Sequence, residues 1–223
     1  MFEDVIFQII KYSVPSFLVC LLINPLVSRI SNHFLLQNKP NDKRISSSQV
    51  PLSGGLSILI SFGTVLYLLV GIPTEFTNIF FCLTLIALVG LIDDLFSLRS
   101  NHKFFWPLAI CLLSIFLGTS SSFLPHPLLN YILSILWIYG LTNSINFLDN
   151  MDGIATGVSS ISALFFGILS IKLEFVNLAI LSFVLFGSCL GFLIFNFPSA
   201  KCYLGDTGSL SLGFLLALIG LNG

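Results

Sequence analysis

Ten polar residues stand out in an otherwise apolar chain: Asp93, Asp94, Lys103, Asn143, Asn146, Asp149, Asp152, Asn196, Tyr203 and Asp206. They fall in or beside three short stretches. The first is Leu91-Ile92-Asp93-Asp94-Leu95-Phe96. Adjacent like charges repel, and near hydrocarbon they also lose hydration. A divalent cation or a lysine between them makes the pair tolerable. Magnesium takes carboxylate oxygens, phosphate oxygens and water. Lys103 is placed to hold an anionic headgroup. A solvated turn at the interface is the plain alternative for this pair.

The second stretch is Asn143-Ser-Ile-Asn146-Phe-Leu-Asp149-Asn150-Met-Asp152-Gly153. Its regular spacing puts Asn143, Asn146, Asp149 and Asp152 along one side of a helical or near-helical segment. Asn and Asp are poor helix-interior residues, so a repeated series argues for a ligand-facing stripe. A helix cap explains Asp152 but not the other three. The third stretch, Asn196 to Ser209, closes with Gly205-Asp206-Thr207-Gly208-Ser209. Glycine permits close backbone approach, and free N–H groups at a helix start suit phosphate. Asp206 either binds a metal or caps the helix.

Carboxylates, amides, lysine and glycines together suit a metal-bridged diphosphate. The only histidines are His33, His102 and His126, and none stands beside a serine-elbow motif, which excludes a Ser–His–Asp reading. Neither GxxxxGK[ST] nor GxGxxG occurs, so P-loop and Rossmann readings fail as well.

The elements that must position these residues are membrane helices. The 223 residues are 56% hydrophobic and 9% charged, against about 25% charged in ordinary globular chains, and the mean hydropathy is +1.01. Such a chain has too few charges to cover a water-soluble surface. A formal net charge of -1 leaves no basic face for nucleic acid. The five cysteines form no CxxC pair, so neither a zinc site nor a disulfide framework is expected. The acidic start MFEDVIFQIIKYS shows no small-residue cleavage site and reads as a retained helix. Continuous apolar runs favour helices over a barrel. Spans are expected near 5–27, 54–71, 76–92, 104–118, 127–142, 153–172, 176–195 and 207–221. The predicted fold is an all-α polytopic bundle of about eight helices, forming one domain over residues 1–223. The loops 28–53, 93–103, 143–152 and 196–206 then share one side and hold seven of the nine Lys and Arg residues. The positive-inside rule places them in the cytoplasm and the N-terminus outside. Five of the six acids on that side, all of them Asp, lie at or near a span end.

The pattern resembles the polyprenyl-phosphate N-acetylhexosamine-1-phosphate transferases. This family contains the bacterial enzymes that start O-antigen, teichoic acid and peptidoglycan lipid intermediates. The resemblance covers about residues 28–221. It rests on Lys39-Pro40-Asn41-Asp42-Lys43-Arg44 with Pro51-Leu-Ser-Gly54-Gly55, on Asp93-Asp94, on the Asn/Asp series ending in Asp152-Gly153, and on Asn196-Phe-Pro-Ser-Ala-Lys201 with Gly205-Asp206-Thr207-Gly208-Ser209. It implies Mg²⁺-dependent transfer of a sugar 1-phosphate from a UDP-N-acetylhexosamine to undecaprenyl phosphate, with release of UMP. Mn²⁺ is the alternative ion. The implied setting is the cytoplasmic face of a bacterial inner membrane, with membrane lipid and a second copy in a homodimer as partners and nucleic acid excluded.

The resemblance also implies roles. Asp206 would ligate the metal. Asp93 would accept a proton from the lipid phosphate or position it, with Asp94 in support, and Lys103 would hold that phosphate. Asn196 would contact the nucleotide, Tyr203 would pack on uracil, and Asn143, Asn146, Asp149 and Asp152 would line the nucleotide-diphosphate pocket. Ser46 stands where the family has a His, and Asn150 where it has a Gly, a change that asparagine's tolerance of left-handed backbone makes mild. The family pattern runs on past the position of Gly223 into further helices and a His-rich loop, which this chain is expected to lack. A non-catalytic membrane scaffold of the same family is the alternative function. A transporter would carry its acids at mid-span, whereas here they sit at span ends.

Overall fold

A computed structural model describes residues 2–33, 50–71 and 74–222. The Lys39–Arg44 motif and Ser46 lie outside the described residues. Within them the chain folds into eight α-helices: α1 Phe2–His33, α2 Gly54–Leu69, α3 Thr77–Phe96, α4 Ser100–Phe116, α5 Pro127–Leu148, α6 Ile154–Lys172, α7 Val176–Asn196 and α8 Gly205–Asn222. A 3₁₀ turn, Thr74–Phe76, leads into α3. The bundle is a polytopic membrane fold. Five helical segments have the length and apolarity to cross a bilayer: Glu3–His33, Thr74–Phe96, Pro127–Leu148, Ile154–Lys172 and Val176–Asn196. Two further apolar segments, Gly54–Leu69 and Asn101–Phe116, are shorter.

The expected spans match these helices, with two differences that matter for chemistry. The third helix continues past residue 92 to Phe96, so Asp93 and Asp94 occupy its last turn rather than a loop. The fifth continues past residue 142 to Leu148, which makes Asn143 and Asn146 helical and Asp149 the C-terminal cap. The apolar run alone does not mark these ends. The last turns are polar, and each closes on its own backbone: the Ser97 N–H donates to the Asp93 carbonyl at 2.8 Å and the Asp149 N–H to the Asn146 carbonyl at 3.3 Å.

The last two helices form the centre. Helix α7 lies against α1, α2 and α6, and α8 against α2, α3 and α5. Nearly every residue of α8 is buried, including Thr207, Gly208, Ser209, Ser211 and Gly213. Lipid is as apolar as leucine, so membrane helices associate by close packing, and small residues let backbones approach. At Gly90 of α3 an added Cβ would lie 2.6 Å from the carbonyl oxygen of Asp206 and from the Cα of Thr207. That approach puts the end of α3 beside the start of α8. By contrast, α1 turns Phe7, Leu18, Leu22 and Leu26 outward, as expected of a lipid-facing helix.

Candidate active site

The site begins with the capping of α8. A helix start leaves backbone N–H groups unpaired and carries partial positive charge. Asp94 fills that need from another helix. Its Oδ1 accepts from the Asp206 N–H at 2.8 Å, and its Oδ2 accepts from the Thr207 N–H at 3.0 Å and the Thr207 hydroxyl at 2.6 Å. Gly205 sits at φ +75, and an added Cβ would lie 2.8 Å from Asp94 Oδ2. Only glycine meets both the left-handed backbone and the close carboxylate. With both oxygens engaged, Asp94 positions the Gly205–Thr207 turn.

Asp93 points elsewhere. Its side chain is buried, its Oδ1 accepts from the Leu98 N–H at 2.8 Å, and its Oδ2 pairs with Lys103 Nζ at 2.7 Å. The same ammonium reaches Asp206 Oδ2 at 3.0 Å. Lys103, ahead of the apolar run of α4, therefore joins carboxylates that lie 113 residues apart in sequence. Partial burial works against its charge, but the hydrogen bond to Asp93 and the charge of Asp206 outweigh that cost and hold the ammonium above the usual lysine range. The other oxygen of Asp206, Oδ1, accepts from Asn146 Nδ2 at 2.8 Å, and the same amide nitrogen donates to Ser209 Oγ at 2.8 Å. Asp206 is thus held by three helices.

Above this cluster opens a cavity of about 700 Å³, walled by Lys103, Phe104, Asn143, Asn146, Phe147, Asp149 and Asp206 among others. Its size suits a ligand larger than an ion. Asn143 donates to the Tyr139 carbonyl at 2.8 Å while bordering the cavity. The Asn/Asp series does not stay on one side. Asn143, Asn146 and Asp149 meet Lys103 and Asp206, but the helix ends at Leu148 and Asp152 turns to the α7–α8 connection, where its Oδ2 accepts from the Ala200 N–H at 3.1 Å. A three-residue step also drifts around a helix of 3.6 residues per turn, so a long stripe at that spacing cannot share one face.

Asn196 and Tyr203 lie apart from the cavity wall. Asn196 is 2% exposed. Its Oδ1 accepts from the Gly153 N–H at 3.2 Å and the Thr156 hydroxyl at 3.0 Å, and its Nδ2 donates to the Cys202 carbonyl at 3.0 Å. That is a clamp between α6, α7 and the connection to α8. Tyr203 makes a parallel bridge with Leu52. Its N–H donates to the Pro51 carbonyl at 2.9 Å, and its own carbonyl accepts from the Gly54 N–H at 3.0 Å. Two participants had no individual role in the sequence reading: Thr207, which holds Asp94, and Ser209, which holds Asn146. The GDTGS string contained both, but their partners lie on α3 and α5.

Asp93 and Asp206 already share one cation, the Lys103 ammonium, and all the donors around it are oxygen or amide groups. Magnesium is characteristically held by one or two carboxylates and completed by substrate phosphate and water, so this donor set fits Mg²⁺ or Mn²⁺. Among the described residues no group of three or more His, Cys, Asp or Glu side chains is placed to hold a metal ion.

Residues 76–223 match the family model described as glycosyl transferase family 4. Over its whole length the chain is 33% identical to a probable undecaprenyl-phosphate N-acetylglucosaminyl 1-phosphate transferase of Bacillus subtilis, of which it spans 65%. It is 29% identical to a phospho-N-acetylmuramoyl-pentapeptide-transferase of Clostridium perfringens, with 96% of this chain and 75% of that protein aligned. A protein of the same description from Levilactobacillus brevis is 45% identical over 87 residues, covering 39% of this chain and 27% of the relative.

Proposed function

The chain belongs to glycosyl transferase family 4, and from that premise we propose that it transfers an N-acetylhexosamine 1-phosphate from a UDP-sugar to undecaprenyl phosphate, at the cytoplasmic face of a bacterial inner membrane. A phosphate oxygen of the lipid attacks the sugar-bearing phosphorus. The bond from that phosphorus to the bridging oxygen breaks, and UMP leaves with that oxygen.

The observation that carries this reading is the joining of Asp93 and Asp206 by Lys103 beside a cavity that Lys103 and Asp206 border together with Asn143, Asn146 and Asp149. The main obstacle to the reaction is the approach of two anions. Lys103 holds the acceptor phosphate and offsets its charge. Asp93, buried and fixed by the Leu98 N–H, takes or orients the remaining phosphate proton. Asn143, Asn146 and Asp149 line the side that takes the nucleotide diphosphate. Asp206, with Asp93 beside it, is the residue that would hold Mg²⁺ or Mn²⁺, and such an ion, when bound, neutralises the diphosphate and the departing UMP. Asp94 acts through Asp206 and Thr207 rather than on substrate. Asn196 and Asp152 act through the backbone of the α7–α8 connection.

The test is UMP release by purified, folded protein supplied with UDP-N-acetylglucosamine, undecaprenyl phosphate and Mg²⁺. Transfer that stops with EDTA and returns with Mg²⁺ supports the reading. No turnover with any UDP-N-acetylhexosamine would sink it and favour a membrane scaffold.

A further inference from the structure

Helix α1 carries a polar residue where lipid-facing helices have none. Asn24 is completely buried. Its Oδ1 accepts from the Ser57 hydroxyl at 2.9 Å and the Ser53 hydroxyl at 3.4 Å, and its Nδ2 donates to Cys202 Sγ at 3.6 Å. The Cys202 thiol in turn donates to Ser28 Oγ at 3.6 Å, one turn further along α1. A buried amide without partners is costly in hydrocarbon, so these contacts hold three segments in one arrangement: α1, the start of α2, and residues 202–204.

Those segments lead directly to the candidate site. Residues 51–55 and 203–204 are joined by backbone hydrogen bonds: Tyr203 N–H to the Pro51 carbonyl at 2.9 Å, Gly54 N–H to the Tyr203 carbonyl at 3.0 Å, and Gly55 N–H to the Leu204 carbonyl at 2.9 Å. The next residues are Gly205 and Asp206. Asn24 grips the two sides of this junction, Ser53 and Ser57 on one and Cys202 on the other. Asp206 is then fixed from both directions: by Asp94 at its own backbone, and by the junction just before it.

We propose that Asn24 is a positioning residue: it locks the 202–204 segment to α2 and thereby sets where Asp206 stands, without touching substrate. The inference rests on the transfer reading for its effect on catalysis, but its structural half can be read alone. Cys202 is 4% exposed, and the amide of Asn24 covers its sulfur.

The experiment uses the whole protein in detergent micelles. Maleimide labelling of each cysteine is mapped by mass spectrometry in the parent and in Asn24→Ala, with the other four buried cysteines as internal references. Release of the junction predicts a rise of about tenfold in the Cys202 labelling rate, with Cys20, Cys82, Cys111 and Cys189 unchanged. In the transfer assay the same variant should need about tenfold more Mn²⁺ for half-maximal rate, with the KM for the UDP-sugar little moved. Loosened packing alone would expose several cysteines together and would leave the metal requirement unchanged. Ser57→Ala removes one of the bonds and should shift both readouts in the same direction by less, which keeps the test available if Asn24→Ala fails to fold. Cys202→Ser preserves a partner for Nδ2 and should keep the parent's metal requirement. A folded Asn24→Ala or Ser57→Ala protein with Cys202 still protected overturns the inference. Absence of transfer in the parent overturns the functional reading and leaves the labelling result standing.

Discussion

Asp94→Asn tests whether the second acid of the pair is a chemical group or a helix cap. The substitution keeps size and shape. It leaves one carbonyl oxygen but turns the other into an NH₂, which must face either the Asp206 N–H or the Thr207 N–H and hydroxyl. At least one charge-assisted hydrogen bond is lost, worth about 1.5–3 kcal/mol. The interaction of a carboxylate with a helix start adds about 0.3–1 kcal/mol. The expected loss of stability is therefore roughly 2–4 kcal/mol, seen as a fall of several degrees in apparent melting temperature. Thr207→Val removes only the hydroxyl contact, itself a bond to a charged group, and should cost about 1.5–3 kcal/mol. Transfer should fall in both variants in step with the displacement of Asp206, and excess metal should recover part of it. The assay is thermal unfolding of the purified protein alongside UMP release across a metal titration. An Asp94→Asn protein as stable as its parent yet inactive would refute the capping argument and assign Asp94 to substrate chemistry.

Further expectations concern the rest of the cluster. Asp206→Asn and Asp93→Asn should each lower kcat by about a hundredfold or more in the UMP-release assay, as loss of a group facing developing charge does; unchanged activity in either would remove its assigned role. Asp149→Ala should raise the KM for the UDP-sugar more than that for the lipid phosphate, measured by varying each substrate separately. Gly90→Ala forces a methyl group against the backbone of Asp206 and Thr207, so destabilisation of about 1–3 kcal/mol is expected, with transfer impaired although residue 90 touches no substrate.

The helices were legible because lipid leaves the backbone no other solution, and eight apolar runs located eight helices. The clustering of Asp93, Lys103 and Asp206 was legible in outline, since charges at span ends call for a reason. The division of labour within Asp93-Asp94 came from the resemblance, which put Asp94 in support, and not from their spacing. Adjacent helical residues point about 100° apart, so one faces Lys103 and the other α8, and only the packing of α3 against α8 decides which. The contact of Asn196 with the nucleotide came from the family resemblance alone; in the fold its partners are backbone and hydroxyl groups of α6 and the chain before α8. Asn24 gave no signal: a single amide in an apolar run has no spacing to interpret, and its meaning lies in Ser57 and Cys202, which are remote in sequence.

The central seat of α8 has a consequence for biogenesis. The helices that surround it, α2, α3, α5 and α6, all precede it in the chain. During synthesis they reach the bilayer before α8 emerges from the ribosome. Until then Asp94 lacks the amide donors that later satisfy it, while Asp93 already has Lys103 within reach along the nascent polypeptide. Asp94 thus acquires its backbone partners only when α8 docks, and the α3–α8 junction that holds Asp206 forms at that step rather than with the earlier helices.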